Sequence, residues 1–597
     1  GSGPDPDSED IEFAEVQLEA DLTDRLSVWL RYNRSETDNQ PNIDALRAPY
    51  ATSVFQGALV PFAQFGLTNN PAEFDNRRVR TDHDGFSRLD ADQVTLEVSY
   101  AFDQFELKYI GSYNEYEFSY SRDADDTDQA SIDYPLVDPA TFLPIPLSVS
   151  TYAVNHIEEN KEFTSHELQF ITSGEGRLQF IGGLYYYEED IDQPFHLRLP
   201  FEPALQTPFS FVTFGPGNAN PDGDFYYQLG SIESEAFAAY GQFDLELSDR
   251  LNLTLGLRYT EDEKDGYEEQ RIVLYNPAAN VFGAFGFPLP PTTSIDISLN
   301  GNGPATRSLE NEWDAVTGKI GLDFQLNEDI LFYGYAARGY KSGGMRLGQL
   351  EGLDLTQPGG ISLSNSPFVD EETVWAYEAG MKSDLADGKL RLNLTAFYYD
   401  YEDQQAPVSF TDTTGVVLQD FINVPETSSY GFEAETIWYP TDNLQLIANY
   451  GYLKAEIEAD LLLVDNALPV PETVNVKGNV LPKSPEHKVT LAASYYLDTA
   501  IGNFNFTANW SRYSEQYASF FERDLYEIDS YSIAGARITY WTNDESLRVI
   551  LGVNNLTDED APTETLRAAT AENGFARVEA PLAPRVVFLE LTKSFGS

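Results

Sequence analysis

Between Glu235 and Thr260 the chain alternates apolar and polar side chains in two runs separated by a three-residue polar turn. Phe237, Ala239, Gly241, Phe243, Leu245 and Leu247 share one parity, while Ala238, Tyr240, Gln242, Asp244 and Glu246 share the other. A period of two sends the two sets to opposite sides of a strand. After Ser248-Asp249-Arg250 the pattern resumes, with Leu251, Leu253, Leu255, Leu257 and Tyr259 set against Asn252, Thr254, Gly256, Arg258 and Thr260. This predicts a long hairpin with one apolar face ending in an aromatic and one polar face, the signature of a strand with lipid outside and water inside. The competing architecture is a soluble sandwich, which needs a second sheet against the apolar face.

The same grammar runs along the whole chain. It predicts about nineteen strands, among them 10–22, 26–35, 161–173, 177–190, 233–247, 251–262, 311–326 and 526–541. Short turns such as Thr23-Asp24-Arg25, Asn327-Glu328-Asp329 and Ala386-Asp387-Gly388 alternate with long connections at 36–92, 123–160, 191–232 and 263–309. In an outer-membrane barrel the short turns are periplasmic and the long loops face outside. The first strand runs into a short turn and the last leaves a long loop, so both point the same way. Closing the wall between them would pair parallel strands, and the parity calls for an odd number of further strands. The fold expected is therefore all-β, an antiparallel transmembrane β-barrel occupying 1–597.

Composition sharpens this picture in three places. No run of about eighteen apolar residues exists, which excludes membrane-spanning helices; the mean hydropathy of −0.36 reflects polar loops and the polar half of each strand. Cysteine is absent, and residues 1–10 show no export-signal pattern. Asp plus Glu number 97 against 37 Lys plus Arg, a formal charge of −60, which excludes nucleic-acid binding through phosphates and makes cations the expected company. Asp123, Asp125, Asp126 and Asp128, and also Asp222 with Asp224, supply several hard oxygens within one turn, as structural Ca²⁺ requires. Neither group follows an EF-hand spacing, and a solvated acidic surface is the alternative. No other cofactor is expected.

Enzyme chemistry finds no foothold. GYKSGG at 339–344 lacks the spacing and the strand-to-helix setting of a phosphate loop. His83, His156, His166, His196 and His487 form no metal-ligand spacing. No G-x-S-x-G elbow occurs, and among so many carboxylates any pair spacing arises by chance.

Six phrases carry a resemblance: LNLTLGLRYTEDEKD at 251–265, LFYGYAARGYKSGG at 331–344, YEAGMKSDLADGKLRLNLTAFYYDYED at 377–403, NVPETSSYGFEAE at 423–435, LPKSPEHKVTLAASY at 481–495 and LGVNNLTDEDAP at 551–562. In this order they resemble the barrel motifs of TonB-dependent outer-membrane receptors. The resemblance implies a 22-stranded barrel, so nineteen strands correspond to a receptor barrel without its TonB box, its plug domain and its first three strands. PRVVFLELTKSF at 584–595 resembles the terminal outer-membrane strand, except that Phe588 stands where the family often has a small residue and Gly596-Ser597 follow the final aromatic Phe595.

The resemblance further implies a Gram-negative outer-membrane receptor that captures a scarce nutrient, such as a ferric siderophore, vitamin or saccharide, with its loops. Import would be driven by a TonB-ExbB-ExbD complex acting on the plug. Outer-membrane lipid and lipopolysaccharide, and a surface lipoprotein, are the other partners expected. Binding residues should lie in loops and the upper lumen, and the candidates are Tyr340, Lys341 and Arg346 with Tyr226 and Tyr227 of the FYY patch. Arg338, Lys341 and Arg346 either meet an anionic substrate or pair with neighbouring carboxylates. The alternatives in function are a barrel that anchors a surface protein without transport, and a passive pore.

Overall fold

The computed structural model describes residues 9–40, 82–124, 152–174, 176–210, 213–274, 303–347, 367–411, 417–465, 472–524, 526–567 and 578–594, with short pieces at 45–46, 52–55, 58–61, 131–137, 144–150, 293–296 and 298. One sheet of 22 strands dominates. Three of these are two-residue pieces, Phe209–Ser210, Gly215–Pro216 and Ile295–Asp296, and the remaining 19 form a wall. The wall begins with β1 (Glu9–Thr23), β2 (Leu26–Asn39), β3 (Phe86–Ala101), β4 (Phe105–Asp123), β5 (Val154–Thr172) and β6 (Leu178–Arg198). It continues through β7 (Asp224–Ser248), β8 (Leu251–Leu274), β9 (Ala305–Asn327), β10 (Ile330–Lys341), β11 (Glu372–Leu385), β12 (Leu390–Thr411) and β13 (Val417–Thr441). It ends with β14 (Leu444–Ile457), β15 (His487–Thr499), β16 (Gly502–Tyr513), β17 (Tyr531–Trp541), β18 (Leu547–Asn554) and β19 (Val586–Lys593).

Each wall strand pairs antiparallel with its neighbours in chain order, as a meander of hairpins must. Among the described residues no ladder joins β19 to β1. Among the described residues no second layer covers the apolar face: Leu184, Leu255, Leu257 and Ile320 stay 43 to 64% exposed, which is tolerable only in hydrocarbon. The sandwich alternative fails on this point.

The strands outrun the expectation on one side. The hairpin β7–β8 extends to Asp224 and Leu274, and β6 reaches Arg198. Crossing a bilayer takes about 9–11 residues, yet β7 and β13 have 25 each, while β18 and β19 have 8. The strand expected at 526–541 is shorter: it begins its wall ladder only at Tyr531, because Glu527–Ile528 pairs instead with Gln516–Tyr517.

Above the apolar belt on the outer face, a tyrosine donates to the glutamate two residues on: Tyr113 to Glu115, Tyr186 to Glu188 and Tyr259 to Glu261. A ring with a polar tip suits the plane between acyl chains and water. Glycines make seats for aromatic rings, on the outer face at Gly182 and on the luminal face at Gly380 and Gly552. A Cβ on Gly182 would stand 2.6 Å from the Phe180 ring, and one on Gly380 2.5 Å from Tyr333 directly opposite. Phe588 follows the same rule, lying over Gly552 on the neighbouring strand. The small residue that this position lacks is supplied across the ladder. Phe595 lies outside the described residues.

Candidate functional site

The tall strands expose their polar parity to the lumen, and there tyrosines and carboxylates are interleaved. Tyr116 (β4) donates to Glu159 (β5), whose second oxygen takes Gln193 Nε2 at 2.7 Å. Tyr187 donates to Glu189 and Tyr240 to Glu167, both at 2.5 Å. Lower in the barrel, on the shorter β10 and β11, Tyr333 and Tyr335 both donate to Glu378, at 2.8 and 2.9 Å, and Tyr333 also reaches Thr395. Hydrogen bonds to charged acceptors are worth about 1.5–3 kcal/mol each, so this face is stiffened as well as polar. The cations sit among the rings. Lys319 lies 4.4 Å over Tyr335, Lys382 5.4 Å over Tyr333, and Arg258 between Tyr185 and Tyr240 at 5.6 and 5.8 Å.

A short strap crosses this wall. The β9–β10 ladder ends at Gly318 and Arg338, although β9 continues upward to Ala305. Beyond that point β10 pairs only with β11, and residues 342–347 fold over the inner faces of β9, β8 and β7. Lys264 Nζ holds the strap by donating to Ser342 Oγ at 3.1 Å and to the Gly343 carbonyl at 2.7 Å. Buried Trp313 packs where a Gly343 side chain would stand, so only glycine admits this crossing. Met345 and Leu347 then lie against Gly266 and Gly230. Gln405 Nε2 closes the arrangement from β12, bonding the Ser342 carbonyl at 2.8 Å.

The strap gathers three of the residues expected at the site. Tyr340 donates to Asp262 Oδ2 at 3.2 Å. Lys341 is exposed and stands opposite Glu372. The Arg346 carbonyl accepts from Arg307, and its amide bonds the Pro367 carbonyl. Tyr226 and Tyr227 do not form one patch: as strand neighbours they take opposite faces. Tyr226 is buried, bonded to Gln228 and Gln270, while Tyr227 packs on the His196 ring at 4.9 Å. Asp123 accepts the Asp82 amide at 3.0 Å, and Asp224 is held by Arg198 and His196. Asp125, Asp126 and Asp128 lie outside the described residues. Among the described residues no group of three or more His, Asp or Glu is placed to hold a metal ion.

Sequence reasoning singled out neither Lys264 nor Trp313. Both sit at luminal parity on tall strands, but what buries them is the strap, and no periodicity announces where a loop turns inward. The Tyr-x-Glu spacing, as in Tyr187-Glu188-Glu189, was a readable signal for the hydroxyl–carboxylate pairs.

Comparison with known proteins agrees with this architecture. The TonB dependent receptor-like, beta-barrel family matches residues 18–556. The probable TonB-dependent siderophore receptor PiuA of Acinetobacter baumannii is 26% identical over 191 residues, 32% of this chain and 24% of that protein. The pesticin receptor of Yersinia enterocolitica is 22% identical over 282 residues, 47% of this chain and 33% of its own. The matched segments thus cover a third or less of these curated relatives. Among solved structures, the ferric yersiniabactin uptake receptor FyuA from Yersinia pestis superposes with a TM-score of 0.66 at 16% identity, covering 98% of this chain and 71% of that one. The siderophore receptor PiuA from A. baumannii gives 0.64 at 16% identity, covering 99% and 75%. At that identity the likeness carries the fold.

Proposed function

Since this chain belongs to the TonB-dependent receptor family, a family of outer-membrane receptors and not of enzymes, we propose that it captures a scarce nutrient at the cell surface and passes it inward through the lumen. The reading rests on one observation: a luminal wall of tyrosines and carboxylates, crossed by a strap that carries Arg346 and leaves β10 directly after Tyr340 and Lys341. Cargo descending from the loops meets this wall before anything deeper. Several of its relatives are named for siderophores, and an iron chelate is the first class to try. In this reading a plug fills the lumen, since an unfilled barrel of this width leaves an aqueous channel. The TonB-ExbB-ExbD complex then moves the plug and drives import.

Thermal unfolding of the purified protein against ferric chelates, vitamins and oligosaccharides tests this. A true ligand at a hundred times its Kd stabilises by about 2.7 kcal/mol. Stabilisation by none of them, together with a tightly co-purifying protein over the loops, overturns the receptor in favour of an anchoring barrel.

A further inference from the structure

We infer that the upper edge of β9 is a docking site for an extended, basic segment of a partner protein, which adds to it as a further strand. This goes beyond the receptor reading and does not depend on what the lumen carries. Residues 305–317 of β9 pair with β8 on one side. On the other side the ladder with β10 ends at Gly318 and Arg338, and β10 goes on with β11 alone. Among the described residues no other strand pairs with β9 there. A bilayer crossing of about 9–11 residues carries β9 from Asn327 up to about Thr317, so this edge stands outside the membrane, in water.

The backbone shows which groups the edge offers. The Gln325 amide bonds the Arg250 carbonyl on the β8 side, and the Val316 carbonyl takes Arg338 Nη1 at 3.2 Å on the open side. Odd-numbered residues therefore face β8, and the amides and carbonyls of Thr306, Ser308, Glu310, Glu312 and Asp314 face the open side. Donors and acceptors alternating at strand spacing are matched by another extended backbone. Charge then selects the strand. Glu310, Glu312 and Asp314 are exposed on the outer face and stand opposite Asp265, Glu263 and Glu261 of β8, and among the described residues no ion pair reaches them. Like charges across a ladder are destabilising, and lysines or arginines on an added strand offset that repulsion. A hollow of about 360 Å³ beside the edge, lined by Glu233, Asp265, Tyr267, Ser308 and Glu310 among others, has room for such a side chain. The same carboxylates repel a second copy of this chain, whose own edge carries the same charges.

The probe is a fluorescein-labelled peptide of about ten residues, one strand's length, alternating lysine and threonine and titrated against the purified full chain by fluorescence anisotropy. With its lysines on the outer face, its lysine amides point at β9 and its threonine amides point away. N-methylation of the lysine amides is expected to abolish binding, and N-methylation of the threonine amides to leave it in place. Glutamate in place of lysine should weaken binding at least about tenfold, the scale of one partly screened charge pair. Glu312→Pro removes an N–H on the open side and spares the β8 ladder, so it should abolish peptide binding without shifting thermal unfolding. Glu310→Gln combined with Glu312→Gln should weaken the peptide severalfold. Equal binding of the two N-methylated peptides reduces the contact to charge alone and overturns the inference, as does no binding of the lysine peptide. Amides of Ser308, Glu310 and Glu312 that exchange in the free protein as slowly as those of Leu309 and Asn311 mark an edge already filled, and overturn it too. Each of these results leaves the receptor reading untouched, since the chelate, vitamin and saccharide panel decides that one.

Discussion

On the outer face of β3 to β9 a line of carboxylates passes from strand to strand, Asp92, Glu115, Glu162, Asp190, Glu233, Asp265 and Glu310, each opposite the next in register. On the inner face of the same strands Glu159, Glu167 and Glu189 each have a tyrosine hydroxyl, an amide or a lysine. At one end of the outer line Asp92 pairs with Arg34 and accepts from Tyr32, and Glu115 accepts from Tyr113, but among the described residues no ion pair reaches Glu162, Asp190, Glu233, Asp265 or Glu310. Like charges directly across a ladder repel by a few tenths of a kcal/mol up to about 1 kcal/mol, a cost that bulk water and counterions on the outside can screen. In the narrower lumen screening is weaker, and the carboxylates are built into pairs. The large negative charge is therefore concentrated where it is cheap, and the interior is arranged by specific contacts.

Three changes probe the contrast. The largest effect should come from breaching the belt that separates the two faces: Leu255→Arg, at mid-belt on β8, is expected to cost about 2–4 kcal/mol, read by denaturant unfolding from vesicles. Unchanged stability would mean that this face does not meet hydrocarbon. Next, Glu378→Ala should cost about 1–3 kcal/mol by stranding two tyrosine hydroxyls. Glu263→Ala, whose neighbours in register are Glu235 and Glu312, should change stability by less than about 0.5 kcal/mol, or raise it. Equal losses would erase the distinction between the faces.

The smallest effect concerns the rim. His83 is held by Tyr152 and Ser121 at 2.9 and 2.8 Å. Burial pushes its imidazole below the ordinary value, while Asp123 and Asp84 pull it up and His156 pushes it down. The unfolded rim thus takes up a proton at a higher pH than the folded one, and rim stability falls as pH drops through about 6.5. Protection of the amides at 152–157, taken relative to the intrinsic exchange rate at each pH, should decline between about pH 7.5 and pH 5, and His83→Gln should flatten that response.

Much of this was legible in the chain. Alternation alone located the nineteen wall strands, because a strand between lipid and water has no other way to satisfy both. It underestimated their height, since above the headgroups both parities are polar and the rhythm fades, as in β7 before Glu235. Tyr340 was legible as a residue at a strand exit. Its partner Asp262 was not, because the two are joined by a departure of β10 from β9 that no local pattern encodes. The split of Tyr226 from Tyr227 was available from the period of two and was missed by treating adjacent aromatics as one patch.

The glycine seats beneath Phe180, Tyr333 and Phe588 bear on how such a wall finds its alignment. Alternation guards only against slips of an odd number of residues, which turn every leucine toward water. A slip of two passes that check unnoticed. It does not pass the seats: Gly182 lies opposite Gly241 with the Phe180 ring over both, and sliding by two sets Gly182 against Ala239 or Phe243 and drives the ring into a side chain. The seats act as a keyed lock, proofreading the even-numbered errors to which a repeating sequence is otherwise blind.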